Sequence, residues 1–297
     1  MAYEALGKNG DDLQGKVIWI TGASSGIGKA LALHLARKGA KLILSARNED
    51  SLKQVKDECL SNYSGQSSDI LVLRLDVTDF DSHKEATQNV LKHFSKIDIL
   101  INNAGRSQRA YASQTILDMD KALLNTNVLG VISLFKAVLP SMLTQGHGQI
   151  VNMSSVSGKM GTVFAATYSA TKFALHGYFD AVQTEIFDRN IHITNVCPGP
   201  VISNIIQNAA QKDFDQPPLK SADGYGERSF WFLMTAERCA ELTTIAMANQ
   251  LGEVWVSRQP ILFLTYFAYY LPHLYSFFGK RLGKKRAEIM LESQKQK

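Results

Sequence analysis

Short apolar runs of strand length alternate with longer segments of helical periodicity over most of this 297-residue chain. The apolar runs are "KVIWIT", "KLILSAR", "ILVLRLDV", "IDILINNAG", "GQIVNMSS", "IHITNVCPG" and "EVWVS". Continuously apolar strands that alternate with helices are typical of a parallel sheet covered by helices on both faces. The sequence therefore predicts an α/β fold, a doubly wound and mostly parallel sheet in a single domain over residues 14–257.

Three segments fall outside this alternation. Residues 1–13 are polar, and residues 258–297 form an aromatic and basic C-terminal extension. Inside the domain, residues 202–230 show no clear periodicity and lie between the sixth strand and the last long helix. Because long loops in compact domains are usually functional, we predict that this loop covers the substrate.

Charge and composition argue against several classes of protein. The net charge is +5, and the part from Gly279 onward holds seven basic and two acidic residues, so the rest of the chain is balanced. We therefore expect no nucleic-acid partner for the domain. The three cysteines lie far apart and the seven histidines form no ligand spacing, so no metal site is predicted. The N-terminus lacks the apolar stretch of a secretory signal.

The turn after the first strand reads "TGASSGIG" and contains Gly22, Gly26 and Gly28. Glycines in such a turn let the backbone approach a pyrophosphate, and the helix N-terminus that follows attracts negative charge. A purely structural turn is the alternative. The second strand ends in "SARN", where a site for NAD usually has a carboxylate. Arg47 instead favours the 2′-phosphate of NADP(H), with Asn48 as a neutral hydrogen-bonding group; the alternative is a solvated arginine.

The stretch "YSATK" places Tyr168 and Lys172 four residues apart. In a helix, both side chains would leave the same face, one turn apart. The pair is either an ordinary solvated helix face or a phenol held beside an ammonium group for proton transfer. Taken alone, the spacing favours the ordinary face.

Five motifs in register carry a resemblance to a known family. They are "TGASSGIG", "NNAG" at 102–105, Asn127, Ser155 with Tyr168 and Lys172, and "PGPV" at 198–201. Their order, and the thirteen residues from Ser155 to Tyr168, resemble the short-chain dehydrogenase/reductases over nearly all of residues 14–257. The resemblance implies a Rossmann-type fold. The stretches "EVWVSRQP" and "GKKR" are similar to one particular branch of that family.

This resemblance implies a catalytic role for four residues. Tyr168 would be the general acid in carbonyl reduction, and Lys172 would lower the pKa of the phenol from about 10. Ser155 would orient the substrate oxygen and stabilise developing negative charge. Asn127 would hold a water in a proton relay, although an amide with only structural hydrogen bonds is the rival interpretation. Nearby His176 is interpreted as a packing residue without a catalytic role.

The resemblance also implies the residues that bind NADP(H). They belong to the glycine turn, the end of the second strand, the acid that contacts adenine, the "NNAG" loop, the catalytic pair and the "PGPV" loop. The predicted set is Gly22, Ser24, Ser25, Gly26, Ile27, Gly28, Arg47, Asn48, Asp76, Val77, Asn103, Ala104, Gly105, Tyr168, Lys172, Pro198, Gly199, Val201 and Ser203.

The extension contains "ILFLTYFAYYLPHLYSFFGKRLGKKR", which holds eight of the 27 aromatic residues and then a basic cluster. The apolar run before Pro272 is shorter than the about 20 residues that span a bilayer as a helix. Aromatic residues followed by lysine and arginine are typical of a segment that lies on an anionic membrane surface. The alternative is an element packed over the substrate cleft or in a dimer contact.

Together these features predict an NADPH-dependent oxidoreductase that reduces the carbonyl, or oxidises the alcohol, of a lipophilic substrate such as a steroid, retinoid or quinone. Two alternatives stay open: a 3-oxoacyl-thioester reductase, and a non-catalytic NADPH-binding scaffold at a membrane surface. The resemblance further implies a homodimer formed through the helices that contain Asn127 and Tyr168. It also implies a peripheral location at the endoplasmic reticulum membrane, with the cytoplasm as the alternative.

Overall fold

The computed structural model describes residues 7–61, 63–205, 207–216 and 232–279. Most of the predicted substrate loop, at 217–230, therefore lies outside the described residues, as does the basic cluster after Gly279. The predicted segment boundaries at residues 13 and 257 stay predictions.

A sheet of seven parallel strands, in the order β3-β2-β1-β4-β5-β6-β7, forms the centre of the described fold. The strands are β1 (Val17–Thr21), β2 (Lys41–Ala46), β3 (Ile70–Arg74), β4 (Ile99–Asn102), β5 (Gly148–Met153), β6 (Ile191–Pro198) and β7 (Glu253–Val256). The helices are α1 (Gly26–Arg37), α2 (Glu49–Leu60), α3 (Ser82–Phe94), α4 (Leu117–Leu124), α5 (Gly130–Gln145), α6 (Ala166–Glu185), α7 (Ala236–Ala248) and α8 (Ile261–Tyr270). This confirms the predicted doubly wound α/β fold in a single domain.

The strands are apolar throughout because both faces of the sheet are covered. On one face, side chains of α1, α2 and α7 pack against the sheet, and Leu35, Leu52 and Leu242 belong to that core cluster. On the other face, α3, α5 and α6 provide a second cluster that includes Phe135 and Phe179. All residues of β1 and β5 are buried, as burial on two faces requires.

The strand order reverses at β1, whose neighbours are β2 and β4. In open α/β sheets, the loops after the strands on either side of such a point diverge, which leaves a crevice at the carboxyl ends of the strands. The turn that begins at Gly22 follows β1, and the loop that begins at Asn103 follows β4. The fold therefore brings the "TGASSGIG" and "NNAG" motifs to the same edge of the sheet.

Helices α4 and α5 are joined by a π-helical turn at Asn125–Leu129. Because the three pieces are continuous, the helix over Leu117–Gln145 is long and apolar enough to cross a membrane by length and composition. Its core-facing residues, which include Leu134 and Phe135, instead pack in the cluster beside α3 and α6. A core helix of a folded domain passes the same test, so this feature carries no localisation argument.

Candidate active site

The glycine turn and the "NNAG" loop are in direct contact. Gly22 has a φ of 65°, and a Cβ there would lie 2.9 Å from the Cα of Ala104. A Cβ on Gly28 would lie 2.3 Å from the backbone oxygen of Gly22 and 2.5 Å from Nδ2 of Asn103. A side chain at either position would push the two loops apart. The glycines thus let the start of α1 approach the crevice closely.

Asn103 holds the two loops together. Its Nδ2 donates to the backbone oxygens of Thr21, at 2.9 Å, and Gly22, at 3.2 Å. Its backbone N–H donates to Oγ1 of Thr21 at 3.0 Å. The side chain therefore also fixes the shape of the glycine turn, a role that the sequence did not indicate.

A cavity of about 590 Å³ lies over this edge of the sheet. Thirteen of the predicted cofactor-binding residues line it: Gly22, Ser24, Ser25, Gly26, Ile27, Arg47, Asn48, Asp76, Val77, Asn103, Ala104, Gly105 and Ser203. The predicted residues outside its lining are Gly28, Ser155, Asn127, Tyr168, Lys172, Pro198, Gly199 and Val201. The fold thus gathers the predicted adenosine and phosphate contacts into one cavity, called the cofactor cavity below.

Two arginines make the cofactor cavity suitable for an anionic ligand. Arg47 lines it, and so does Arg106, which was not among the predicted residues. Burial, and then repulsion from Arg47, lower the pKa of Arg106. Two cations that repel each other across a cavity favour a bound anion such as a phosphate group. The sequence did offer one signal that Arg106 lies at the cofactor site, namely its position directly after "NNAG".

Asp76 and Asn48 are held by neighbouring residues at the rim. Burial opposes ionisation of Asp76, yet hydrogen bonds from Thr78 and the positive charges of Arg47 and Arg74 lower its pKa overall. Asn48 accepts a hydrogen bond from the backbone N–H of Ser51 through Oδ1 at 3.0 Å, so its side chain caps α2. Asp76 is thus held ionised as a hydrogen-bond acceptor at the rim.

Tyr168 and Lys172 lie in the first two turns of α6, and both are buried. The Nζ of Lys172 lies 5.7 Å from the ring centroid of Tyr168 and donates to the backbone oxygen of Met153 at 2.7 Å. Burial lowers the pKa of Lys172 to about 8. The pair is therefore not a solvated helix face, which was the interpretation that its spacing alone favoured.

Ser155 follows β5 and begins a 3₁₀ turn at Val156–Gly158. Its Oγ accepts a hydrogen bond from the backbone N–H of Ser157 at 3.1 Å and donates to the backbone oxygen of Pro198 at 3.4 Å. This turn packs against α6, the helix of Tyr168. Ser155 therefore lies in a turn that contacts both the end of β6, through Pro198, and helix α6, which carries Tyr168.

Asn127 lies in the π-helical turn and is fully buried. Its Oδ1 accepts from the backbone N–H of Arg106 at 2.8 Å, and its Nδ2 donates to the backbone oxygen of the same residue at 2.9 Å. Nδ2 also donates to Oγ1 of Thr171 at 3.1 Å. The amide thus ties the end of the "NNAG" loop to the helix residue next to Lys172, and the predicted water relay stays a prediction.

The "PGPV" loop returns to the glycine turn. A Cβ on Gly26 would lie 3.2 Å from the Cβ of Ser203, so the two loops are in contact. Val201 pairs with Met234 in an isolated bridge, and a Cβ on Gly199 would lie 2.1 Å from Oγ of Ser257. Ser203 thus lines the cofactor cavity next to the glycine turn, while Pro198, Gly199 and Val201 shape the loop that carries it.

Gln108 is a positioning residue that the sequence reading missed. The side chain of Ala165, at the N-cap of α6, cannot accept a hydrogen bond. Instead, Oε1 of the fully buried Gln108 accepts the backbone N–H groups of Thr167, at 2.8 Å, and Tyr168, at 3.1 Å. The helix of the predicted acid is therefore capped from another loop, three residues after "NNAG". No local sequence signal marks such a distant cap.

His176 belongs to a buried polar network rather than to apolar packing alone. Its Nε2 lies 2.9 Å from Oγ of Ser154, and its Nδ1 lies 3.2 Å from Oε2 of Glu253 without a well-aligned hydrogen bond. Burial opposes ionisation of Glu253, but the nearby side chains of His176, Lys159 and Trp255 lower its pKa to about 2. The network lies directly behind the predicted catalytic serine.

His176, Cys197 and Glu253 also place three possible ligand atoms within 4.8 Å of one another. The Nζ of Lys159 lies 2.7 Å from Oε2 of Glu253, however, so a cation of the protein already neutralises that carboxylate. The two nitrogens of His176 face different partners. Among the described residues, this cluster therefore gives no independent argument for a metal site.

Comparisons with known proteins agree with this fold and site. A family model described as short chain dehydrogenase matches residues 16–213. The chain therefore belongs to the short-chain dehydrogenase/reductase family, and it is an oxidoreductase of that family.

Among its relatives, the chain is 43% identical over 278 residues to Dehydrogenase/reductase SDR family member 7 of Homo sapiens, covering 93% of this chain and 80% of that protein. It is 37% identical over 201 residues to Dehydrogenase/reductase SDR family member 7B of Mus musculus, covering 68% of this chain and 62% of that protein. These relatives form the branch that "EVWVSRQP" and "GKKR" resemble, as predicted.

Two solved structures share the fold. One is a short-chain dehydrogenase/reductase from Burkholderia phymatum in complex with NAD, with a TM-score of 0.77, 25% identity and coverage of 88% of this chain and 95% of that one. The other is an alcohol dehydrogenase from Thermococcus sibiricus complexed with 5-hydroxy-NADP, with a TM-score of 0.70, 24% identity and coverage of 83% and 99%. Each of these two neighbours holds a nicotinamide dinucleotide, NAD in one and 5-hydroxy-NADP in the other.

Proposed function

We propose that this protein uses NADPH to reduce the carbonyl group of a lipophilic substrate such as a steroid, retinoid or quinone, or oxidises the corresponding alcohol. The observation that carries the proposal is the buried pair of Lys172 and Tyr168 beside the turn of Ser155. A buried ammonium group near a phenol stabilises the phenolate, which makes proton transfer at that oxygen easier near neutral pH.

In this mechanism each predicted residue has one task. The bound cofactor supplies the hydride. Tyr168 donates its phenolic proton to the carbonyl oxygen, and the Oγ of Ser155 hydrogen-bonds the same oxygen while negative charge develops there. Lys172 keeps the phenolate stable until a proton returns. Asn127 holds the backbone of Arg106 and Oγ1 of Thr171 in place, which keeps the surroundings of Lys172 rigid.

The test is NADPH oxidation by the purified protein against retinal, 3-ketosteroids, 17-ketosteroids, ortho-quinones and acetoacetyl-CoA. Tyr168→Phe should lower kcat by at least about 100-fold, because it removes the general acid but keeps the ring. Tyr178→Phe, ten residues later on the same helix, is the matched control and should leave kcat unchanged. Equal turnover by Tyr168→Phe and the wild type would exclude the mechanism.

The same panel separates the two alternatives. Activity confined to acetoacetyl-CoA would identify a 3-oxoacyl-thioester reductase, because the same catalytic residues serve that reaction. Tight NADPH binding with no turnover on any substrate would favour the non-catalytic scaffold. The presence of Ser155, Tyr168 and Lys172 together argues for an enzyme.

The preference for NADPH rests on the two arginines of the cofactor cavity. Charge-assisted hydrogen bonds to a 2′-phosphate contribute about 1.5–3 kcal/mol, so NADPH should bind about 10- to 100-fold more tightly than NADH. Arg47→Glu should abolish this ratio by repelling the phosphate. Arg37→Glu, an equal charge change on α1 at a residue that does not line the cavity, should preserve it. Dissociation constants for NADPH and NADH, measured by cofactor fluorescence, give this ratio for each variant. Equal affinities for the two cofactors in the wild type would overturn the preference.

The homodimer is also a proposal. Exposed apolar side chains on the helices of Asn127 and Tyr168, among them Leu124, Leu129 and Phe173, support a contact between copies. The proposed location, peripheral at the endoplasmic reticulum membrane with the cytoplasm as the alternative, rests on resemblance. Light scattering of the purified protein tests the dimer, and cell fractionation tests the location.

A further inference from the structure

A polar network lies behind the turn that carries Ser155. We call it the His176 network, and its members are Ser154, Lys159, His176 and Glu253. They come from three elements: the turn after β5, helix α6 and edge strand β7. The side chains of Lys159 and His176 are each only 7% exposed. Because buried polar groups cost free energy unless they are paired, we expect this network to fix the elements that it joins.

The network holds both ends of the Ser155 turn, which comprises residues 154–159. At the start of the turn, Oγ of Ser154 lies 2.9 Å from Nε2 of His176. At its end, Nζ of Lys159 lies 2.7 Å from Oε2 of Glu253. Ser155 stands between these two contacts in the chain. The turn is therefore attached to α6 at one end and to β7 at the other.

Gly158 lets the Ser155 turn lie directly on the ring of His176. A Cβ at this glycine would lie 2.9 Å from Oγ of Ser154 and 3.0 Å from Nε2 of His176. The same nitrogen lies 3.6 Å from Sγ of Cys197 on β6. The ring is thus enclosed between the turn and the sheet, and close packing of this kind leaves the turn little freedom to shift.

His176 connects the turn to helix α6, which also carries the proposed acid. It lies four residues after Lys172, so both side chains leave the same face of the helix. Lys172 donates to the backbone oxygen of Met153, and His176 contacts Ser154, the next residue. Two adjacent residues of the chain are thus tied to one helix face. The position of Ser155 relative to α6 therefore depends on both contacts.

The C-terminal extension lies against the outer part of the network. The Nζ of Lys159 lies 5.2 Å from the ring centroid of Tyr269 on α8. The ring of Trp255 on β7 lies 5.4 Å from that of Tyr269, and its Nε1 donates to Oε1 of Glu253. Aromatic rings beside the ion pair reduce its contact with water, which strengthens the attraction between its charges. Helix α8 thus supports the anchor on β7.

We propose that the His176 network consists of positioning residues, which hold the Ser155 turn against helix α6 during carbonyl reduction. His176 anchors the start of the turn through Ser154, and Glu253 anchors its end through Lys159. The inference rests on the function proposed above. Loosening either anchor should slow the chemical step and leave cofactor affinity unchanged, because no member of the network is among the described residues that line the cofactor cavity.

His176→Leu tests the anchor on α6. It removes the contact with Ser154, so kcat at saturating NADPH should fall about tenfold, less than the about 100-fold that a displacement of 1 Å can cost. The dissociation constant for NADPH should not change. The matched control is His83→Leu, because His83 is also buried on a helix and its Nδ1 lies 2.9 Å from Oγ of Ser133. This control should lower the melting temperature by a similar amount and keep the wild-type kcat.

Glu253→Gln tests the anchor on β7. It removes the negative charge opposite Lys159, so the end of the turn should loosen and kcat should fall about fivefold, again with unchanged NADPH affinity. Glu241→Gln makes the same charge change on α7, where the carboxylate lies 2.7 Å from a guanidinium nitrogen of Arg238. This control should keep the wild-type kcat.

Hydrogen exchange measures the anchoring without any turnover. The backbone N–H of Ser157 donates to Oγ of Ser155, and that of Gly158 donates to the backbone oxygen of Ser155. His176→Leu should speed exchange at these two amides at least about tenfold, whereas His83→Leu should not. If the wild type reduced no carbonyl but exchange changed as expected, the anchoring would stand and only the proposed function would fail.

Two results would overturn the inference. The first is a wild-type kcat in both His176→Leu and Glu253→Gln while turnover still depends on Tyr168. The second is unchanged exchange at the two amides of the turn in His176→Leu, or a loss of kcat no larger than in His83→Leu. Either finding of the second kind would show that the network contributes only to overall stability.

Discussion

The two ends of the site are built in different ways. At the phosphate end, Gly22 and Gly28 matter because they lack side chains: a Cβ at either would strike backbone or Asn103. At the catalytic end, buried side chains position the helix of Tyr168: Asn127 donates a hydrogen bond to Thr171, and Gln108 accepts one from the backbone N–H of Tyr168. Backbone shape defines the first end, and side-chain hydrogen bonds define the second.

This difference predicts how each end responds to substitution. A steric change at the phosphate end should lower cofactor affinity sharply, because close-packed backbone has little freedom to relax. A polar change at the catalytic end should lower kcat while the cofactor still binds, because it displaces Tyr168 rather than the phosphates. The largest effects are therefore expected at the glycine turn.

Gly28→Ala is the strongest test of the phosphate end. The added Cβ would lie 2.3 Å from the backbone oxygen of Gly22, so the turn must open. We expect NADPH affinity to fall about 100-fold, equivalent to about 3 kcal/mol of strain. Isothermal titration measures the dissociation constant.

Gly177→Ala is the matched control, since it makes the same change inside a helix where, among the described residues, no atom outside the helix's own backbone lies within 4 Å of the new Cβ. It should keep wild-type affinity and raise the free energy of unfolding by up to about 1 kcal/mol. If Gly28→Ala binds NADPH like the wild type, the steric account of this turn is wrong.

Gln108 tests the catalytic end. Gln108→Leu leaves the backbone N–H groups of Thr167 and Tyr168 without their acceptor, so the first turn of α6 should shift. We expect the displaced phenol to raise the activation free energy by about 1.4 kcal/mol, which lowers kcat about tenfold. The removed cap separately lowers the free energy of unfolding by about 0.5–2 kcal/mol. The dissociation constant for NADPH should not change. Steady-state kinetics and cofactor titration measure the two quantities.

Gln108→Glu is the conservative counterpart. Its carboxylate can accept the same two N–H groups, and the helix N-terminus favours the negative charge. It should therefore restore most of kcat, with an altered pH profile because a new charge lies near Tyr168. A Leu variant with normal kcat, or a Glu variant as slow as the Leu variant, would show that the cap does not position Tyr168.

The phosphate end and the fold could be predicted from the sequence because their signals are local. Continuous apolar runs specify buried parallel strands, and closely spaced glycines specify a turn, so the sheet and most of the cavity lining follow directly. Arg47 was readable for the same reason, since its place at the end of β2 determines what it faces.

The catalytic end was only partly readable because its contacts join distant parts of the chain. Tyr168 and Lys172 were assigned a catalytic role because they fall in the motif order of a known family. Their spacing alone favoured an ordinary helix face. Gln108 lies 60 residues from Tyr168 in sequence, and Glu253 reaches His176 from the last strand of the sheet. Such contacts depend on the topology of the sheet, and no periodicity or local motif in the sequence predicts them.

The smallest expected effect concerns the stability of the catalytic end without cofactor. Burial lowers the pKa of Lys172 from 10.5 to about 8 in the folded protein. The unfolded chain thus binds more protons between these two pH values, so wild-type stability should rise with pH from about 8 towards 10.5. Below pH 8 the full cost of the buried charge is present.

Lys172→Met removes that cost and loses one hydrogen bond to Met153, so at pH 7 it should stabilise the protein by about 1 kcal/mol while turnover is lost. Denaturant unfolding at several pH values measures this gain, which should shrink as pH rises. Lys159→Met provides the contrast, because this lysine is paired with Glu253 at 2.7 Å and its removal should destabilise the protein. If both variants lost stability alike, Lys172 would carry no burial cost, and the catalytic end would be as well satisfied as the phosphate end.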